Sequence, residues 1–196
     1  VSMGDSYSAG EGIERYYDQG KSTSEKVGSE DWISHRSENS WPGMLKVPGL
    51  SGTLADNHNK NWYFVATSGA TTTHIQNSFK KEYDYDGYQG STYVAPQIEI
   101  LRNLKNEGKE VDYITLTIGG NDVEFSEVVT MAATPHPFNP SALSDKINSL
   151  KNDFYAANGI RDSIRKVYTD ISAEAPNAKI IVAGYPKLLD IKGSGF

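Results

Sequence analysis

The chain of 196 residues has no cysteine. Disulfides, thiolate metal sites and a cysteine nucleophile are therefore excluded. Histidine is scarce, at four residues, and His58 and His74 stand too far apart, without a carboxylate at ligand spacing, to make a metal site. No apolar run approaches the length needed to cross a bilayer, and no signal peptide is visible at the start. Positive charge is also in deficit: 19 Lys and Arg stand against 25 Asp and Glu, a net charge of -6. With no basic cluster, nucleic-acid binding through phosphate contacts is disfavoured. Repeats, low-complexity tracts and linkers are absent too, and 37% hydrophobic with 22% charged residues suits one globular domain over residues 1–196.

What is present is concentrated in three short blocks. The first is Met3-Gly4-Asp5-Ser6-Tyr7-Ser8-Ala9-Gly10-Glu11-Gly12, which follows a short apolar lead-in that reads as a strand end. Gly4 permits a sharp turn there, so Ser6 is expected just past the C-terminal end of a strand. In an open parallel sheet that edge is where ligands bind, and a helix starting at Ser6 would point N–H groups at an anion. An ordinary turn with an N-cap serine would read the same. Ala66-Thr67-Ser68-Gly69-Ala70-Thr71-Thr72 and Thr117-Ile118-Gly119-Gly120-Asn121-Asp122 each follow a further apolar run.

Between the blocks the pattern is α/β. Glu14 to Ser40 is polar and aperiodic and reads as a long loop, with His35 as a surface histidine rather than a base. A helix is expected over Trp41 to Leu50 and a buried strand over Asn61 to Ala66, with His74 a candidate to line the cleft beyond it. Tyr83 to Gly90 reads either as a tyrosine-rich substrate rim or as a loop folded back on the core; Asp84 and Asp86 lack the remaining ligands of a calcium loop. Ile98, Leu101 and Leu104 recur at helix spacing and Gly108 stops them. Val111 to Ile118 reads as a central strand, and Asn139-Pro140 opens a helical region divided at Gly159. Lys179 to Ala183 is a last strand, leaving through Gly184-Tyr185-Pro186.

The three ordered blocks, with GDSYSAGEG, SGATT, TLTIGGNDVEFS and AGYP, resemble the SGNH/GDSL hydrolase superfamily, most closely its secreted esterase and lipase branch, from Val1 to about Pro186. The resemblance implies a three-layer α/β/α sandwich with a parallel, flavodoxin-like sheet. It also implies Ser6 as nucleophile, with the backbone N–H of Ser6, the backbone N–H of Gly69 and the side-chain amide of Asn121 as oxyanion donors. The chemistry agrees: a serine hydroxyl needs a base, and a tetrahedral intermediate needs donors aimed at its oxygen. Gly69 allows close backbone approach, and the Asn121 amide donates at any pH. Asp5 and Asp122 read as structural acceptors of loop N–H groups. The implied partners are a small-molecule, carbohydrate or lipid ester and no cofactor or metal; the implied location is extracellular. Members of that branch commonly carry a cysteine where this chain has Thr67, so the oxidising compartment is not inferred from this chain.

The family's final Asp-x-x-His block has no counterpart. No acid stands three residues ahead of any histidine, and the last one, His136, lies between prolines at no family position. The expectation is that the chain lacks the last part of the sheet. The base would then come from a C-terminal segment, from a second chain, or from His136, the first being favoured. Esterase action through Ser6 competes with a non-catalytic carbohydrate- or protein-binding module and with a nucleotide-binding flavodoxin-like domain. The last is suggested by architecture alone, with no phosphate loop behind it.

Overall fold

The computed structural model describes residues 1–133 and 140–186. In chain order the elements are β1 (Ser2–Gly4), α1 (Ser6–Ala9), α2 (Thr23–Lys26), α3 (Glu30–Ile33), β2 (Phe79–Tyr85), β3 (Tyr88–Val94), α4 (Glu99–Asn106), β4 (Tyr113–Thr117), α5 (Phe125–Ala133), α6 (Pro140–Tyr155), α7 (Ile160–Glu174) and β5 (Lys179–Val182). The expected α/β architecture is present. β1, β4 and β5 form a parallel sheet in that order, with Ser2 opposite Thr115 and Ile114 opposite Ile180. On the free side of β1 runs the segment expected as a strand over Asn61 to Ala66. It is reduced to one parallel bridge, Phe64 to Ser2, because the Ser2 carbonyl accepts from both Val65 N–H (2.8 Å) and Ala66 N–H (3.2 Å). Two residues facing one is a bulge, and it breaks the ladder. Counting that segment, the strands lie in the order second, first, third, fourth, the flavodoxin-like arrangement, with the switch point beside β1.

Alternation along the strands sorts the two faces. Met3, Ile114 and Leu116 meet Ile98 and Leu101 of the α4 region and Val167 and Ile171 of α7, all buried. Burying each such Leu or Ile is worth about 1.5–3 kcal/mol, so this layer carries much of the stability. The other face is small and polar. Thr115 Oγ1 donates to Ser2 Oγ at 2.6 Å, Trp62 Nε1 donates to the same oxygen at 2.7 Å, and Ser8 Oγ accepts from Thr117 N–H at 3.0 Å. A second cluster, Ala9, Leu54, Trp62, Phe64 and Ala66, packs over that side.

Several local expectations are corrected. Trp41 to Leu50 is not a helix: the carbonyls of Gly43 and Leu45 accept from Ala55 (2.9 Å) and Leu54 (2.8 Å) instead of from the next helical turn. Glu14 to Ser40 contains α2 and α3, each preceded by a serine, Ser22 closing a capping box with Glu25 and Ser29 Oγ accepting from Trp32 N–H. Tyr83 to Gly90 is not a loop folded back on the core but the turn and flanks of the β2–β3 hairpin. Asp86 (φ 45°) and Gly87 (φ 83°) are both left-handed, as a two-residue type I′ turn requires. The helix α5 after Asn121-Asp122 was not anticipated. α4, β4, α6, α7 and β5 fall where expected.

Candidate active site

Ser6 begins α1, a single turn of four residues capped by Asp5, whose carboxylate accepts from Tyr7 N–H at 3.0 Å. So short a helix has little dipole, and what Ser6 gains is position rather than field. The turn into it demands Gly4: φ is +125°, and a Cβ there would stand 2.1 Å from the Thr117 carbonyl. Asp5 N–H donates to that carbonyl at 2.9 Å, locking the end of β1 to the end of β4.

The other two blocks are tied to this one and to each other. Thr67 N–H donates to the Gly4 carbonyl at 3.0 Å. Asn121 Nδ2 donates to the Ala70 carbonyl at 2.8 Å, which leaves its second amide hydrogen for another acceptor. Asp122 accepts from Thr72 N–H at 2.9 Å and from Thr72 Oγ1 at 2.5 Å, the loop-bracing role expected of it. Among the described residues, neither the hydroxyl nor the N–H of Ser6, nor the N–H of Gly69, has a hydrogen-bond partner. Gly69 reaches its conformation at φ +83°. Ser6 and Asn121 line one cavity of about 370 Å³, walled by Tyr7, Phe125, Val129 and Tyr185. Gly69 is not part of that wall; it lies on the neighbouring loop, beyond the bonds just described.

Tyr185 completes this end. Its hydroxyl accepts from Gly120 N–H at 2.7 Å and donates to Asp5 Oδ2, and its ring stands edge-on to Tyr7 at 4.8 Å. Burial raises the Asp5 carboxyl from 3.8 to about 6, against the hydrogen bonds it accepts from Tyr185 and Tyr7. Burial and the neighbouring Asp5 carboxylate raise the Tyr185 phenol in turn, so it stays a donor. No sequence pattern assigned Tyr185 a task, although AGYP carried part of the family resemblance; its role depends on β5 lying beside β4.

The three histidines among the described residues have other partners. His74 sits in a 3-10 turn over Thr72–Ile75, where Nδ1 accepts from Thr71 N–H at 2.9 Å and the ring stacks on Phe79 at 4.0 Å; burial lowers its pKa. His58 is stacked on Tyr17 at 3.8 Å, with Asp31 Oδ2 3.6 Å away, and burial lowers it as well. His35, expected at the surface, is 28% exposed in its side chain and has fixed partners. It is held in a left-handed conformation (φ 53°), Nδ1 2.7 Å from Glu11 Oε2 and Nε2 3.1 Å from the Tyr85 hydroxyl. His136 lies outside the described residues. Among those residues no group of three or more His, Asp or Glu is placed to hold a metal ion, and no helix is long and apolar enough to cross a membrane.

An open parallel sheet with a serine, a glycine and an asparagine loop at adjacent strand ends is the architecture of the SGNH lipase fold. Comparison with known proteins agrees. A lipase of Streptomyces rimosus is 25% identical over 194 residues, 99% of this chain and 54% of its own length. Lipase 2 of Streptomyces coelicolor is 27% identical over 190 residues, 95% of this chain and 52% of its own. The crystal structure of the extracellular lipase from Streptomyces rimosus is similar with a TM-score of 0.61 at 24% identity, covering 99% of this chain and 62% of that one. No family model matches. The resemblance to the secreted esterase and lipase branch of the SGNH/GDSL hydrolases is thus supported, and the chain spans about half the length of the lipases it matches.

Proposed function

We propose that the protein is a serine ester hydrolase of the esterase or lipase type, acting through an acyl-enzyme on Ser6. The observation that carries this reading is the pair of unpartnered backbone donors, Ser6 N–H and Gly69 N–H, on adjacent loops, with the Asn121 amide lining the Ser6 cavity. Ser6 Oγ attacks the ester carbonyl while its proton passes to a histidine. The carbonyl oxygen, now negative, takes hydrogen bonds from Ser6 N–H, Gly69 N–H and Asn121 Nδ2. Collapse of the intermediate breaks the ester C–O bond, and the protonated histidine gives its proton to the departing alkoxide. Water then repeats the sequence on the acyl-enzyme, releasing the acid and restoring Ser6.

The base in this reading is a histidine outside the present sequence, since three of its four histidines are held by other partners. The 196 residues alone are then expected to turn over esters weakly, because loss of one triad member removes several orders of magnitude in rate. Apolar walls at Tyr7, Phe125 and Val129 suit an acyl chain. Export from the cell is proposed by analogy with the Streptomyces rimosus enzyme, whose structure is titled as extracellular.

A fluorophosphonate, which forms a P–O bond to an activated serine with loss of fluoride, tests the assignment on the natural gene product. Labelling at Ser6, lost in Ser6→Ala together with p-nitrophenyl ester hydrolysis, is expected; no labelling, or hydrolysis surviving in Ser6→Ala, overturns it. The competing binding-module reading draws on Tyr88 and Tyr93, exposed on β3 at 47% and 65%. It requires glycan binding that persists in Ser6→Ala and falls in Tyr93→Ala.

A further inference from the structure

The Ser68–Gly69 peptide is gripped from every side. Ser68 N–H donates to the Ser34 carbonyl at 3.0 Å, and its carbonyl accepts from Lys81 Nζ at 2.7 Å. That carbonyl and the Gly69 N–H belong to one amide group. A cation on the oxygen draws electron density through the conjugated C–N bond, making the N–H at the other end a stronger donor and fixing the plane in which it points. Lys81 comes from the inward face of the hairpin strand β2, where its ammonium lies 5.2 Å from the Phe79 ring centroid. Phe79 and Lys81 together back Gly69: a Cβ on it would stand 3.4 Å from Phe79 Cζ and 3.9 Å from Lys81 Nζ.

We propose that Lys81 is a positioning residue for the oxyanion hole, orienting and polarising the Ser68–Gly69 peptide so that Gly69 N–H can stabilise the negative oxygen. The inference rests on the reading of Gly69 as an oxyanion donor. It gives the β2–β3 hairpin a catalytic task that no motif announces. The titratable groups that interact with the ammonium are Glu11, which favours it, and His74, whose protonation it disfavours; His35 is paired with Glu11. Burial lowers the Lys81 pKa against the pull of Glu11, so its ammonium is expected to lose its proton at lower pH than an ordinary lysine.

The test uses steady-state hydrolysis of a p-nitrophenyl ester by the natural gene product, with circular dichroism to verify folding. Lys81→Met is expected to lower kcat about ten-fold, with KM changed by less than about two-fold, because the effect falls on a transition-state donor. Lys81→Arg, which keeps a charged donor, is expected to recover most of kcat and to move the alkaline decline expected of the wild type to higher pH. An unchanged kcat in Lys81→Met, beside loss of activity in Ser6→Ala, overturns the Lys81 role and leaves the hydrolase reading intact. So does an alkaline limb at the same pH in Lys81→Arg as in the wild type, an outcome that decides the matter even if Lys81→Met does not fold. Activity indifferent to both Ser6→Ala and Asn121→Ala overturns the hydrolase reading, and the Lys81 role with it.

Discussion

Asp5 stands next to Ser6, is 1% exposed, and has its carboxyl raised to about 6 by burial. Because the folded pKa lies above the unfolded one, the folded state holds this proton more tightly. The group's contribution to stability is therefore complete at pH values below its unfolded pKa of 3.8 and is lost as pH rises through about 6. A rise of roughly two units corresponds to about 3 kcal/mol. Urea unfolding of Asp5→Asn is expected to lack this loss, so that the stability of the wild type relative to the variant declines between pH 4 and pH 7 by up to about 3 kcal/mol. The neighbouring loop makes a second residue-scale case. Asn121→Ala should reduce kcat by about a hundred- to a thousand-fold if the amide is an oxyanion donor. Asp122→Ala, which leaves Thr72 N–H and Oγ1 without their acceptor, should cost about 1–3 kcal/mol of stability, measured by denaturant unfolding.

Among the elements, the β2–β3 hairpin stands outside the main sheet and depends on its turn. Asp86 and Gly87 both have positive φ, so Gly87→Ala puts a β-carbon into a left-handed position and should destabilise by about 1–2 kcal/mol in urea titrations. If Lys81 acts as proposed, kcat should fall alongside. α3 is anchored differently. Arg36, 4% exposed just beyond its end, donates through Nε to the Ala66 carbonyl at 2.9 Å and through a terminal nitrogen to Asp31 at 2.8 Å. It therefore ties the region between the first two blocks directly to the segment that delivers Ser68 and Gly69. Removing one partner of a buried pair costs about 3–5 kcal/mol, and Arg36→Ala is expected to lower thermal stability to match.

For the molecule as a whole, stability is expected to be concentrated where β1 and β4 pair under α4 and α7. Their facing side chains Met3, Ile114, Leu116, Leu101 and Ile171 are at most 1% exposed. The hairpin and the segment carrying α2 and α3 are held mainly by hydrogen bonds, ring contacts and ion pairs nearer the surface. Amide hydrogen exchange should be slowest in β1 and β4 and faster by orders of magnitude in β2 and β3. Uniform protection across both regions would contradict this division. If Ser6, Gly69 and Asn121 act as proposed, the division has a functional sense: Ser6 and Asn121 leave the paired strands, whereas Gly69 is backed by the hairpin.

The sequence by itself determined the parallel-sheet class, the placing of α4, β4, α6, α7 and β5, and the three blocks at strand ends, because hydrophobic period and glycine positions are local and survive without knowledge of neighbours. The two short helices and the hairpin were also written locally, in Ser22-x-x-Glu25 and in Asp86-Gly87 between tyrosines, signals hidden by the polar composition around them. Other features had no local signature at all. The failure of a helix to form over Trp41 to Leu50 was decided by the amides of Leu54 and Ala55. The Tyr185 bridge between Asp5 and Gly120 and the Lys81 bond to Ser68 join residues far apart in the chain. Such pairings exist only after the sheet has brought distant segments together, so tertiary structure alone decided how Ser6 and the loops of Gly69 and Asn121 are braced.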